Sequence, residues 1–201
     1  MRFQVTFWAI RWLAGLIIIV CVSLLTSQVR AQDAGWERYM AEGTQAYQNG
    51  QETNAEMFYL AALEQVQNAG PEDPRLAATL NTLAVLYHSQ RKYVQAESLY
   101  QHVVKLLEQT IGPDHPTLAT TLNNLAVVYE AQDKYAEAAP LYRRALALIE
   151  RTLGPDHPNL AATLDNYADL LRKMQREAEA ESTEARAKAI WAKQKGAPGG
   201  K

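Results

Sequence analysis

Apolar positions along the middle of the chain recur at spacings of three and four. Leu118, Leu122, Leu125, Ala126 and Tyr129 form one such series, and Tyr135, Ala138, Leu141, Tyr142, Ala145 and Leu148 form a second. That period places each set on one stripe of an α-helix. Between the stripes, Asp133 follows Gln132 as a candidate cap. After the second stripe, Gly154 predicts a left-handed helix end, which glycine tolerates without penalty. Pro155 cannot continue the helix. Asp156 is then a candidate N-cap for the next helix, with Pro158 in its first turn. Gly112, Pro113, Asp114 and Pro116 repeat this punctuation. Pro140 falls inside the second stripe and removes one backbone hydrogen bond, which predicts a local kink and not an end. Ala84, Ala96, Ala126 and Ala138 interrupt the large residues. Small side chains there let two helices approach to about 8–10 Å.

The stripes are part of a longer period. Segments 76–117 and 118–159 match without a gap at 23 of 42 positions. Both begin Leu-Ala-x-Thr-Leu-Asn-x-Leu-Ala-Val and end Gly-Pro-Asp-His-Pro. A third copy starts at Leu160 and diverges after Ala168. A weaker one spans about 34–75 and ends Gly70-Pro71-Glu72-Asp73-Pro74. The expected architecture is all-α, an α-solenoid of about four helical hairpins at 34–75, 76–117, 118–159 and 160–195. The last helix, about 177–193, is rich in Ala, Glu, Arg and Lys and lacks the Tyr and Leu of its sisters, as expected of a polar terminal cap. The segment 196–201 is expected to be a disordered tail.

The beginning of the chain reads differently. Met1 to Arg11 carries two arginines and no acid, Trp12 to Leu25 is an apolar run of 14 residues, and Val29 and Ala31 are small residues before Gln32. This three-part pattern is that of a secretory signal peptide cleaved after Ala31, and the run is short for a membrane span. An uncleaved N-terminal anchor is the alternative, and a membrane association is expected only in that case. Cys21 follows Val20, not the small residue that lipid attachment wants. Residues 1–31 contain Arg2, Arg11 and Arg30 and no acid, so their removal takes the formal charge from −2 to −5. A mildly acidic chain excludes nucleic acid as the expected partner. The only cysteine leaves with the leader, and with it any disulfide or thiol chemistry. An exported, periplasmic or extracellular protein is the resulting expectation.

The string Asp-His-Pro-x-Leu-Ala-x-Thr-Leu-Asn-Asn-Leu-Ala-x-x-Tyr at 114–129, followed by Tyr-Ala-Glu-Ala-x-Pro-Leu-Tyr-Arg-Arg-Ala-Leu at 135–146, resembles the 42-residue tetratricopeptide repeat of kinesin light chains and of many bacterial proteins. The resemblance covers about 34–190 and is strongest over 76–170. It implies a right-handed stack of hairpins whose concave face is lined by the first helix of each pair. A non-catalytic interaction scaffold is the expectation drawn from such a repeat.

No catalytic set has convincing spacing. His115 and His157 occupy equivalent loops; counterpart atoms in neighbouring repeats are about 10 Å apart, too far for one zinc ion with bonds near 2 Å. Each is expected instead to help cap the next helix. His88 and His102 fall on helix positions expected to be exposed, and no cofactor or metal is expected. The stronger candidates are polar residues flanking the core leucines of the first helices: Asn81, Asn123, Asn124, Asp165 and Asn166. Asparagine is a mediocre helix former, but its amide donates and accepts as a peptide backbone does. In proteins of the resembled type the asparagines matching Asn81, Asn123, Asn124 and Asn166 hold an extended chain. A purely structural reading, in which they bond neighbouring repeats to each other, remains beside it. Farther along the same face lie Tyr47, Thr82, Val85, His88, Val127, Glu130, Asp169, Arg172 and Lys173. Arg172 and Lys173 suggest a ligand that is acidic near the C-terminal end. The partner expected is a peptide or protein segment; self-association into a homodimer through the open end of the stack is the alternative.

Overall fold

The computed structural model describes residues 34–196, and every described element is helical. Helix α1 covers residues 34–48, and α2 Glu52–Val66 completes the first hairpin. The second hairpin is α3 Pro74–Ser89 with α4 Tyr93–Thr110, the third α5 Pro116–Glu130 with α6 Tyr135–Leu153. The fourth is α7 Pro158–Lys173 with α8 Glu177–Gly196. From α2 onward each helix packs on its successor, and α5 also touches α7. The chain is thus an α-solenoid of four hairpins, as the periodicity predicts. The signal-peptide segment 1–31 and residues 197–201 of the expected tail lie outside the described residues. Gly196, placed in that tail, belongs to α8. Among the described residues no helix is long and apolar enough to cross a membrane.

The first hairpin pairs a small residue with a buried tyrosine, and the next two repeat the two residue types. Gly43 lies so close to Tyr59 that a Cβ there would sit 2.6 Å from the ring. Ala84 and Tyr100 share one buried cluster, Ala126 and Tyr142 another. In the first unit the counterpart of Tyr100 is Tyr59, and that of Gly112 is Gly70. The tyrosines are closer together along the chain than the glycines by a single position, so one residue is missing between Val66 and Gly70, where α2 ends early. That slip is why a gapless match leaves the first unit faint.

The hairpin turns share one device. Arg91, Asp133 and Gln175 stand at equivalent places in successive units and have φ of 59°, 58° and 60°, and Gly50 takes this place in the first unit at 72°. Each turn is closed by a backbone bond back across the helix end, such as Lys134 N to Tyr129 O at 2.9 Å. These are left-handed helix ends of the Schellman type. Asp133 is thus the left-handed residue of a turn; it also accepts a hydrogen bond from the Tyr135 hydroxyl at 2.6 Å.

The loops between repeats correct two expectations. The N-cap of α7 is His157 and not Asp156: its Nδ1 accepts from Asn159 N at 3.1 Å. His115 caps α5 in the same way at 3.2 Å, and Asp73 caps α3. The reason is register: proline takes the first helical position, so the residue directly before it is the cap. Asp114 and Asp156 instead pair with Arg151 and Lys193 near the end of the following hairpin. Gly154 has φ 93° and ψ 166°, positive but extended, not left-handed helical. Pro155 forbids the helical ψ to its predecessor, so the chain takes a region that only glycine occupies cheaply. Pro140 lies inside α6 without ending it, and the helix runs on to Leu153.

Polar straps cross the first two junctions. Glu56 on α2 meets Lys92 at 2.9 Å and the Tyr87 hydroxyl at 3.1 Å. Glu97 on α4 meets Lys134 at 2.7 Å and the Gln132 amide at 2.8 Å. Partial burial pushes both carboxyls upward, but these bonds together with the lysine charge outweigh it and hold both below the usual glutamate range. At the third junction the counterpart of Glu97 is Ala139, packed with Leu170 and Met174. That one position is apolar, and the junction is strapped elsewhere, by Glu130 and Lys173 at 2.9 Å.

Gly154→Ala should lower stability by about 1–3 kcal/mol in urea unfolding, although no atom stands where the new methyl would go. The straps also predict an acid response. A carboxyl depressed in the folded state contributes fully above its unfolded value and loses that contribution as pH falls through its folded value. Between about pH 6 and about pH 3 the urea midpoint of the native chain should therefore fall further than that of Glu56→Gln/Glu97→Gln. Equal falls would deny the straps a role.

Candidate functional site

The first helices set three columns of residues along one wall, because equivalent positions of successive repeats fall on the same turn of each helix. Asn81, Asn123 and Asp165 form one column; Thr82, Asn124 and Asn166 form the next. Tyr47, His88, Glu130 and Arg172 form the third, with Tyr47 shifted by the one-residue deletion.

The structure brings three of the predicted amides together. Asn166 Nδ2 donates to Asn123 Oδ1 at 3.1 Å, across from α7 to α5. Asn123 Nδ2 in turn donates to Asn124 Oδ1 at 3.2 Å. Asn124 also hydrogen-bonds Tyr100; burial pushes that phenol up to about 12, and this bond acts weakly in the opposite direction. Repeat-to-repeat bonding therefore accounts for part of the row. Asn81 stands apart. Its side chain has no hydrogen-bond partner among the described residues, and it borders a cleft between α3 and α5. Asp165 is directed to the end of the stack, where its carboxylate accepts from Trp191 Nε1 of α8 at 2.9 Å.

The third column is more committed than the sequence suggests. Glu130, its side chain 12% exposed, lies 2.9 Å from Lys173 and accepts from the Tyr142 hydroxyl at 2.9 Å. Burial first, then the charge of Glu130, drives the Tyr142 phenol far above its usual range, so it remains a donor. The bond to Glu130 raises Lys173 as well. Arg172 is held by Asp169 at 3.0 Å, by Glu177 at 3.6 Å and by Glu184. The two cations expected to meet an acidic ligand thus already face carboxylates of their own chain: Lys173 that of Glu130, and Arg172 that of Asp169 and, from α8, those of Glu177 and Glu184. His88 is half-buried, not exposed; its ring lies 5.7 Å from that of Tyr93, and burial lowers its imidazole below the usual range. Tyr47 is exposed near the end of α1. A hollow of about 190 Å3 opens between α5 and α7, lined by Val127, Glu130, Tyr142, Asn166, Asp169 and Lys173.

Two residues that the sequence reading passed over shape this wall. Trp36 and Trp191, the only tryptophans after residue 31, each use the indole N–H to tie an end helix to the stack. Their position in the two degenerate units was the available signal. Among the described residues no three His, Cys, Asp or Glu side chains converge as metal ligands do.

A family model described as Tetratricopeptide repeat matches residues 40–109, 88–149 and 117–193. No curated protein matches the chain. Among solved structures, BtubC (BKLC) from P. vanneervenii is similar with a TM-score of 0.76 and 25% identity, over 85% of this chain and 68% of that one. A kinesin-light-chain-like protein of Podosopora anserina with nearly identical TPR-like repeats gives 0.70 and 22%, over 94% of each chain. Aspartyl phosphate phosphatase F from Bacillus subtilis gives 0.70 and 20%, over 80% of this chain and 41% of that one. The last two likenesses are of fold.

A double-mutant cycle tests the amide bond between repeats. Asn123→Ala and Asn166→Ala should show a coupling of about 1 kcal/mol in unfolding free energy. Strict additivity would mean that the bond contributes nothing.

Proposed function

Because the chain belongs to the tetratricopeptide repeat family, we propose that it is a non-catalytic scaffold of the cell envelope that holds a peptide or protein segment along the wall of its first helices. The observation that carries this reading is the unequal state of the amides. Asn123, Asn124 and Asn166 are joined to one another, while Asn81 keeps its donor and acceptor free of the described chain. A free amide on an inner wall is what an extended backbone needs, since it can donate and accept at one position without regard to sequence. The neighbouring Tyr47, Val85 and His88 supply apolar and aromatic surface on the same side. Export rests on the N-terminal pattern of charge, apolar run and small residues, and the same export would place the wall in the periplasm or outside the cell.

The acidic-ligand expectation is not carried into this reading, because a carboxylate would have to displace Glu130 or three carboxylates around Arg172. The grip is instead expected toward the N-terminal half of the wall. Self-association remains the second reading. It is favoured by the N-terminal edge, where α1 has no preceding hairpin among the described residues.

Asn81→Ala should reduce capture of an envelope partner on the immobilised chain about tenfold while leaving the melting temperature near the native value. Asn123→Ala/Asn124→Ala should lose both binding and stability. Undiminished capture by Asn81→Ala would remove the support for this reading, and a dimer in light scattering without any captured partner would favour the other.

A further inference from the structure

The first repeat junction contains its own aromatic plug. Trp36 of α1 packs against the main core and donates its indole N–H to Thr79 Oγ1 of α3 at 2.8 Å. Thr79 is fully buried, and Trp36 is partly so. At the next junction Ala77 on α3 matches Trp36, once the one-residue deletion is allowed for, and Thr121 on α5 matches Thr79. A methyl group now stands where the indole stood. The space is left as a cleft of about 400 Å3 between α3, the end of α4 and the start of α5. Its floor is Val103, Leu106 and Leu107, and Ala77, Asn81 and Thr121 lie on its walls.

The third junction is different again. Ala119 and Thr163 occupy the same two positions, both are buried, and α5 touches α7 there, bridged by the Asn166–Asn123 bond. The middle junction is therefore the open one: among the described residues no tryptophan fills it, and no amide–amide bond joins its first helices α3 and α5. Thr121 is 3% exposed, and its hydroxyl spends its proton on Thr117 O at 3.4 Å. Thr121 lines the cleft and its oxygen meets no donor among the described residues, whereas the matching oxygen of Thr79 receives one.

We propose that this cleft is a binding site for a planar, uncharged aromatic group that carries one N–H donor, of the indole class, seated on Leu106 and Leu107 with the donor on Thr121 Oγ1. The Trp36–Thr79 pair is the internal template for that geometry. A volume of about 400 Å3 lies within the usual range for small-ligand pockets, and apolar walls with a few placed polar groups are their usual lining. Glu72 in the lining disfavours an anionic ligand, while Asp73 beside it is already paired with Arg75 at 2.6 Å. The group can arrive as a free molecule or as a side chain presented by a partner, and the chemistry recognised is the same. This site does not depend on the backbone-gripping role of the amides.

Titration of the full, isotope-labelled chain with indole, followed by amide NMR shifts, tests the site. Saturable shifts confined to residues 77–81, 103–111 and 117–121 are expected. 1-Methylindole, which lacks the donor, should bind about tenfold more weakly to the native chain, and Thr121→Val should weaken indole to the same extent. Ala77→Trp should abolish indole binding by filling the cleft in the manner of Trp36. Should that variant fail to fold, as circular dichroism would show, Thr121→Val carries the test. N-Acetyltryptophanamide distinguishes the sources: binding as tight as indole supports a presented side chain, and binding by indole alone supports a free ligand. Absence of saturable shifts, shifts located elsewhere, or equal affinity for indole and 1-methylindole would overturn the proposal.

Discussion

The contact on which this molecule depends is the close approach of two helices within each hairpin, made possible by one small residue. Gly43, Ala84 and Ala126 sit on the first helices of three hairpins, and the buried Tyr59, Tyr100 and Tyr142 sit on the second. A larger residue at the small position would force a ring that has no free space, because interiors are packed to crystal-like density. The tyrosine also carries a hydroxyl that must be satisfied, and it is directed to the inner wall. Tyr59 donates to Thr44 at 3.3 Å, Tyr100 bonds Asn124, and Tyr142 donates to Glu130. Packing inside the hairpin thus dictates which wall positions must be polar. In the fourth hairpin the places of Glu130 and Tyr142 are taken by Arg172 and Glu184, and an ion pair replaces the phenol bond.

The junctions between hairpins are not uniform, although the repeat suggests that they are. The first has a tryptophan and an ionic strap. The second has a strap and an open cleft. The third has an amide bridge and an apolar Ala139–Leu170–Met174 contact. Solenoid stability is close to a sum of unit and nearest-neighbour terms. Different junction chemistry therefore gives different local responses to acid and to ligands along one stack. The first two junctions are strapped by Glu56 and Glu97 of the second helices, and the third by Glu130 of a first helix, paired with Lys173.

The wall residues divide according to what they already touch. Lys173, Arg172, Glu130 and Asp165 are matched within the chain, and Asn123, Asn124 and Asn166 bond to one another. Asn81 is the one predicted amide left unmatched in the described structure. A row that looks equivalent in sequence is thus graded in availability, and the availability increases toward the middle junction.

The sequence alone determined the helices, the hairpins, their number and the stacked architecture, because a regular long period of apolar stripes has one economical way to bury them. It also determined which residues punctuate the chain, since glycine and proline act through local backbone sterics. Tertiary structure decided what the periodic pattern could not encode. The cap fell to His157 and not Asp156 because proline claims the first helical position. Gly154 took an extended ψ because the next residue is proline. The charges of Arg172 and Lys173 were matched because α8 and Glu130 lie beside them in space and not in sequence. The cleft at the middle junction likewise exists only as a difference between aligned junctions, visible once Trp36 and Ala77 are seen to occupy the same place.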